Sequence, residues 1–411
     1  MASVDTIIVG GGLAGLCCAL ELERAGRDYL LIEKDTRVGG RVKTDERDGF
    51  LLDHGFQVLL TAYPEAQRVL DYEGLKLCEF TPGALIRTEG GFHRLTDPWR
   101  KPFAGVKSAF SPVGSIKDKL RVGKLRGQAL KGTLEGGFAR PDTSTLKLLE
   151  QQGFSPDMIE KFFRPYLSGI FLEKELATSS RMFWFVFRMF AEGAGALPEG
   201  GMGKIPEQLA QKIPPERLRL GCEVASAKVG AVCLASGESI ACENLVLATD
   251  AWNAARLLPE IDAPKACGVT CFYYAAPQSP VGEPTLVLNG TGKGPINNLC
   301  VPSDVSPCYA PDGASLVSVS TLEEGDDESL AGRIESQLTD WYGAGVNRWS
   351  RLGVYRIPHA LPSQTPPALA EPERPVRQAP GLYVCGDHMD NASIQGAMVS
   401  GRRTAEAILN A

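Results

Sequence analysis

The chain is predicted to be an α/β protein with an α+β second part, and three observations carry that prediction. The apolar run Thr6, Ile7, Ile8 and Val9 enters the turn Gly10-Gly11-Gly12-Leu13-Ala14-Gly15. Helical periodicity follows over residues 16–25 with Gly26 as its stop, and a second apolar run over 28–32 ends at Glu33. Strand, glycine-rich turn, helix and a second strand ending in an acid make a Rossmann-type dinucleotide-binding unit. Gly10 makes the tight turn, Gly12 lets backbone approach a pyrophosphate, and Gly15 lets the helix pack closely on the strand. The N–H groups and positive end of that helix stabilise an anion without a basic side chain, and Glu33 is placed to accept from ribose hydroxyls. The third observation is length: 411 residues exceed one ordinary core, so a second domain is expected.

Composition bounds the rest. With 44% apolar and 22% charged residues the chain is that of a globular protein, and a net charge of −6 argues against general nucleic-acid binding. The eleven cysteines are scattered, Cys17 and Cys18 are adjacent on the first helix, and no cysteine pair or Cys/His cluster has metal-ligand spacing. They are expected to be free thiols in a reducing compartment, with no metal bound. No run of eighteen apolar residues predicts a transmembrane helix, and the first strand begins too early to leave room for a signal peptide. A cytoplasmic protein is expected.

After Glu33 and Lys34 come Val38-Gly39-Gly40-Arg41, the polar turn 44–48, and Asp53-His54-Gly55-Phe56-Gln57. Further on lie Phe162-Phe163-Arg164-Pro165-Tyr166 at the end of a helical stretch expected over 146–167, and Leu197-Pro198-Glu199-Gly200-Gly201-Met202. A strand is expected over 218–224, ending at Val224, and another over 244–250 that ends in Ala248-Thr249. An alternating strand at 268–275 and further strands at 285–288, 298–302 and 316–320 suggest a second sheet, followed by an amphipathic helix over 328–342. Near the end, Val384-Cys385-Gly386-Asp387 closes a buried strand, and Ser393-Ile394-Gln395-Gly396-Ala397-Met398 opens the last helix.

This combination resembles the flavin-containing amine oxidase superfamily, closest in its motifs to the carotenoid desaturase/isomerase and protoporphyrinogen oxidase branches. The resemblance implies a non-covalently held FAD. It places the pyrophosphate near Arg41, the His54 to Gln57 run beside the flavin ring, Val224 on the adenine and the Ala248-Thr249 turn close to the cofactor. It makes Asp387 the acceptor for the ribityl chain, and it points the helix start at Gln395, Gly396 and Ala397 toward the flavin pyrimidine edge. The implied division gives residues 1–75, 197–263 and 364–411 to the FAD-binding domain. Residues 76–196 and 264–363 then form a discontinuous substrate domain with a mixed sheet and helices.

The resemblance also implies hydride transfer to flavin N5 from an apolar small molecule, isoprenoid in one reading. Two alternatives stay open: an oxidase of the amine or protoporphyrinogen type, and a flavin-free binding protein like the GDP-dissociation inhibitors. Ser393-Ile394 stand where amine oxidases carry an aromatic residue, which favours the desaturase-like pattern. His359 and Tyr355, in a segment expected to lead back toward the cofactor, are the candidates for proton handling. The run 182–190 holds five aromatics and two methionines and is either core or the wall of a substrate cavity.

One stretch contradicts the overall charge. Residues 100–131 carry nine Lys or Arg against the single acid Asp118. Ile116, Leu120 and Leu125 are expected near one side of a helix, with Lys117, Lys119, Lys124 and Arg126 flanking or opposing them and Phe103 and Phe110 preceding. A basic face beside an apolar stripe suits peripheral contact with an anionic membrane, and equally suits a solvated helix packed on its own domain.

Overall fold

The computed structural model describes residues 3–101 and 111–411, so Phe103 and Phe110 lie outside the described residues. Two large sheets organise it. The first begins with Leu218–Arg219, Tyr29–Ile32, Ser3–Val9 and Ser239–Leu247 in spatial order, all paired in parallel. Beyond Ser239–Leu247 it divides. One end pairs antiparallel with Ala231–Leu234, which pairs in turn with Val224–Lys228; the other pairs in parallel with Leu382–Val384. Ile8, Leu31, Val246 and Tyr383 are fully or almost fully buried, which is why these strands are continuous apolar runs rather than alternating ones.

The second sheet runs in the order Ser350–Pro362, Ala266–Ala276, Ser315–Thr321, Ile296–Cys300, Leu286–Asn289, Gly83–Thr88 and Gly91–Thr96. It is antiparallel except where Leu286–Asn289 meets Gly83–Thr88. A small three-stranded sheet holds Gly195–Pro198 between Leu59–Leu60 and Leu77–Glu79.

Three local expectations are corrected. The strand expected over 218–224 is two strands, because Gly221 at φ +66° turns the chain after Arg219 and a new strand starts at Val224. The helix expected over 146–167 is broken. Thr145–Gln151 ends at Gly153 (φ +82°), Ser155 caps a new start at Pro156, and a π-helical turn at Ile159–Phe163 precedes Arg164–Phe171 with Pro165 in its first turn. The basic helix is longer than its two glycines suggest. It spans Ile116–Ala129 because Ser115 and Asp118 form a reciprocal capping box. Its apolar residues do not share one side: Leu125 is buried, whereas Ile116 and Leu120, on the other side, are 65% and 72% exposed.

Asp53 ties the two halves together. Its carboxylate accepts from Thr44 Oγ1 at 2.5 Å, the Met202 amide at 3.0 Å and the Tyr309 hydroxyl at 2.8 Å, and its carbonyl accepts from the Tyr273 hydroxyl at 2.9 Å. Burial pushes the carboxyl up to about 6 in spite of these donors. The unfolded carboxyl ionises at its ordinary value, near 3.9, while the folded one keeps its proton to about 6. The folded state therefore binds more protons in that window, and stability falls as pH rises from about 4 to 6 and levels off above. The expected size is on the order of 3 kcal/mol. Asp53→Asn is expected to flatten that part of the profile in urea unfolding at a series of pH values, and to be at least as stable as the parent at pH 7. An unchanged slope would show that Asp53 is already ionised in the fold.

Candidate active site

The glycine turn is held by its own backbone. Gly10 adopts φ +113° while its N–H donates to the Ile32 carbonyl at 2.8 Å, and a Cβ at Gly15 would lie 2.0 Å from the Gly10 carbonyl oxygen. The helix Leu13–Arg24 thus starts hard against the strand end. Its first turn has neither an acidic side chain nor a side-chain cap. A Cβ at Gly12 would meet no protein atom within 4 Å. Instead, Gly12 faces open space.

That space is a cavity of about 1200 Å³, above the roughly 300–1,000 Å³ of an ordinary small-molecule pocket. Its wall includes Glu33, Lys34 and Val224, the turn residues Gly10, Gly12, Leu13 and Ala14, and Gly39, Gly40, Ala248 and Thr249, which adjoin that turn. Arg41, Gly386, Asp387 and Ala397 continue the wall to His54, Gly55, Phe56 and Gln57. Glu33 is buried and already accepts from the Gly11 amide at 2.6 Å and the Asp35 amide at 2.9 Å. These bonds fix the carboxylate at the end of the strand and leave it lone pairs to spare.

Arg41 and Asp387, expected to serve different parts of a dinucleotide, are joined to each other. The guanidinium donates to both carboxylate oxygens at 2.9 and 2.6 Å, and also to the Ala360 carbonyl at 2.7 Å. This bidentate pair spans 346 residues of sequence and clamps the Gly39-Gly40-Arg41 turn to the C-terminal strand. Gln57 donates to the Arg41 carbonyl at 2.8 Å, while its Oε1 is buried without a partner. An orphaned acceptor on a cavity wall is a group that a ligand donor would satisfy.

Five predicted site residues stand off the wall. Gly15 serves packing. Gln395 turns away: its Oε1 accepts from the Glu65 amide at 2.9 Å, holding the helix Pro64–Val69 to the last helix. Gly396 is pinned where a Cβ would lie 2.0 Å from the Asn391 carbonyl, and its amide donates to Ser393 at 3.0 Å. His359 is exposed and stacked on Trp252, ring centroids 4.4 Å apart.

Tyr355 does not reach the cavity either; Ile357, further along the same strand, does. The Tyr355 hydroxyl donates to Asp45 at 2.7 Å, and its ring lies 4.9 Å from that of His54. Burial and the Asp45 carboxylate push the Tyr355 phenol up, making it a poorer acid. Burial works against ionisation of Asp45 too, yet hydrogen bonds from Tyr355, Arg37 and His54 hold it below the ordinary carboxylate range. His54 Nε2 is 2.9 Å from the same Asp45 oxygen, so of these groups His54 is the one that meets the cavity, with Asp45 and Tyr355 behind it. Asp45 carries no signal in the sequence, since it is one acid in a polar turn.

Beyond the flavin-fingerprint half the cavity becomes apolar. The helix Ser180–Glu192 answers the two readings of the aromatic run by facing two ways. Met182, Phe183, Val186, Phe187 and Phe190 line the cavity, while Trp184, Phe185 and Met189 are buried in the core. Tyr63, Phe80, Phe162 and Tyr166 complete the wall. Trp99, Ile116 and Leu120 line the cavity at one place where it opens to the surface.

A side chain at position 12 separates cavity from scaffold. Gly12 has extended backbone (φ −76°, ψ 179°) that any residue adopts, so Gly12→Val is expected to fold and melt like the flavin-free parent. Its flavin affinity should fall, by roughly five- to 150-fold for an overpacking cost of about 1–3 kcal/mol. Gly15→Ala should instead lose stability. Equal flavin titrations for Gly12→Val and the parent would mean that no ligand approaches this turn.

Comparison with known proteins agrees with this geometry. Residues 13–409 match the family model described as flavin containing amine oxidoreductase. Protoporphyrinogen oxidase of Nicotiana tabacum, chloroplastic, is 25% identical over 227 residues, 53% of this chain and 38% of the relative. The 4,4'-diaponeurosporene oxygenase of Staphylococcus aureus is 29% identical over 97 residues, 24% of this chain and 18% of the relative. The chain therefore matches well under two thirds of either relative's length. A double mutant of putrescine oxidase superposes with a TM-score of 0.75 at 15% identity, covering 100% of both chains, which is a likeness of fold. The chain belongs to the family of flavin-containing amine oxidoreductases, FAD-dependent oxidoreductases of this fold.

Proposed function

We propose that the protein is an FAD-dependent dehydrogenase, desaturase or flavin-dependent isomerase that acts on an apolar, isoprenoid-like small molecule. The observation that carries this is the single cavity with two chemistries: a glycine and carboxylate half suited to a dinucleotide, and an aromatic half suited to an apolar body. The fit to FAD rests on the open face of Gly12, the uncapped helix start, the buried carboxylates of Glu33 and Asp387 and the unpartnered Oε1 of Gln57. In this reading Gly12, Leu13 and Ala14 would hold the pyrophosphate, Glu33 the ribose, Val224 the adenine, and Asp387 with Arg41 the ribityl side. Bound there, FAD supplies an acceptor for hydride at N5.

The chain's own contribution is orientation and dryness. Phe183, Phe187 and Phe190 present an apolar wall that excludes water and holds the substrate by area and shape. His54, backed by Asp45, is placed to hold or pass a proton at the cavity wall, a role that His359 and Tyr355 are not positioned for. Cys385 is buried against the core, its thiol pushed up to about 12 by burial, and it stands off the wall, which supports non-covalent attachment. Ser393 and Ile394 line the cavity and neither is aromatic, which argues against the amine reading. A protoporphyrinogen-type oxidase is the second reading, supported by the tobacco relative and by Arg100, Lys119 and Arg126 on the wall, which suit acidic substituents.

The test is bleaching of the flavin in the absence of oxygen by a panel of polyene, isoprenoid, porphyrinogen and amine compounds. Polyenes or isoprenoids are expected to bleach it. For the active compound, Phe187→Ala should raise KM roughly ten- to 150-fold, as expected from losing about 1.5–3 kcal/mol of aromatic burial. Bleaching by porphyrinogens or amines alone would replace this reading with the alternative.

A further inference from the structure

The mouth of the cavity is unlike the rest of the surface. Six large apolar side chains are strongly exposed among the described residues, and three of them, Trp99 at 48%, Ile116 at 65% and Leu120 at 72%, meet at this opening. Single exposed apolar residues need no explanation, but a cluster on a cavity rim does. The cluster is also built. Trp99 lies across the Ile116–Ala129 helix where Gly123 leaves room for it, a Cβ there being 3.1 Å from the indole, and the Arg126 guanidinium sits 5.4 Å from the ring centroid.

The charge around it is mostly basic, the carboxylate of Asp97, which accepts from the Trp99 amide at 2.8 Å, being the exception. Lys117 and Lys124, seven residues apart, lie on the exposed side of the helix that carries Leu120, and Lys131, also exposed, follows just past the helix end at Ala129. The one acid of the stretch, Asp118, is buried on the opposite side. It accepts from the Ser115 hydroxyl at 2.6 Å and the Ser155 hydroxyl at 2.8 Å, and adds nothing to that surface. This positive rim stands on a chain of net charge −6.

We propose that this rim docks on an anionic lipid bilayer, with Trp99, Ile116 and Leu120 inserted among the headgroups and Lys117, Lys124 and Lys131 on the lipid phosphates and carboxylates. A bilayer fits better than an acidic protein because the exposed apolar cluster is continuous with the apolar cavity wall. A water-insoluble substrate then passes from membrane to cavity without crossing water. Association is peripheral, since no helix among the described residues is long and apolar enough to cross a membrane. The inference holds whatever reaction the cavity runs, and its test reads binding rather than turnover.

The experiment is sedimentation of the flavin-loaded protein with phosphatidylcholine vesicles carrying increasing phosphatidylserine, at low and high salt. The bound fraction is expected to climb with phosphatidylserine and fall with salt. Lys117→Gln/Lys124→Gln/Lys131→Gln should weaken binding on the order of a hundredfold, about fivefold per charge, with flavin absorbance and melting temperature unchanged. Ile116→Ser/Leu120→Ser should weaken it as well. Equal binding to pure phosphatidylcholine, no binding at any composition, or parent-like binding by the triple lysine variant overturns the proposal. So does a shift of oligomeric state on Ile116→Ser/Leu120→Ser without vesicles, which would assign the patch to a second copy of the chain.

Discussion

The structure depends on how closely backbone can approach backbone around the first helix. A Cβ at Gly15 would lie 2.0 Å from the Gly10 carbonyl on the strand side, and a Cβ at Gly401 would lie 2.1 Å from the Ala14 carbonyl on the side of the last helix. Helix Leu13–Arg24 is thereby sandwiched between the first sheet and Ile394–Leu409 with no side chain between the backbones at either crossing. This contact fixes the N-terminus of the first helix, and so places Gly12, Leu13 and Ala14 on the cavity wall. Because protein interiors are close-packed, such a contact positions its partners to within a fraction of an ångström.

The second constraint is the joint between the sheets. Arg41 and Asp387 clamp the two ends of the chain together, and Asp53, through Thr44, Met202, Tyr273 and Tyr309, fastens the hairpin Thr44–Arg47 and Phe50–Asp53 to the second sheet. Both are polar contacts in buried or half-buried surroundings, where a group is costly to leave unpaired and so specifies one arrangement. The cavity follows from that arrangement. Its polar half is made by the first sheet and its connections and its apolar half largely by the helices between residues 116 and 192, with His54 on the wall and Asp45 behind it.

Several elements were legible because their signal is local. The glycine turn, Glu33, the Gly39-Gly40-Arg41 run and the Gly386-Asp387 strand end all reach the cavity, since a strand that ends in a turn carries its functional residue at a defined place relative to the sheet. Four of the seven strands of the second sheet were legible, as was the helix Asp327–Tyr342 from its periodicity, whereas Gly83–Thr88, Gly91–Thr96 and Ser350–Pro362 were not read as strands. Elements governed by competition between local signals were not. Two glycines suggested a weak basic helix, and the Ser115 capping box outweighed them. A single strand was expected up to Val224, and a left-handed glycine at 221 divided it.

Side-chain partnership across long stretches of sequence was decided only by the tertiary structure. Tyr355 and His359 stand in a segment that does return toward the cavity, yet the direction of each side chain depends on the bulge in Ser350–Pro362 and on what lies opposite: Asp45 for one, Trp252 for the other. The same holds for Gln395, taken by Glu65, and for Trp99, Ile116 and Leu120, whose meeting at one rim joins a loop and a helix. The sequence by itself determined the dinucleotide-binding α/β half and its glycine and carboxylate residues, because strand, turn and helix are written within about thirty contiguous residues. The tertiary structure decided which groups face the cavity beyond that unit. Those contacts form between residues hundreds of positions apart, and no local pattern records them.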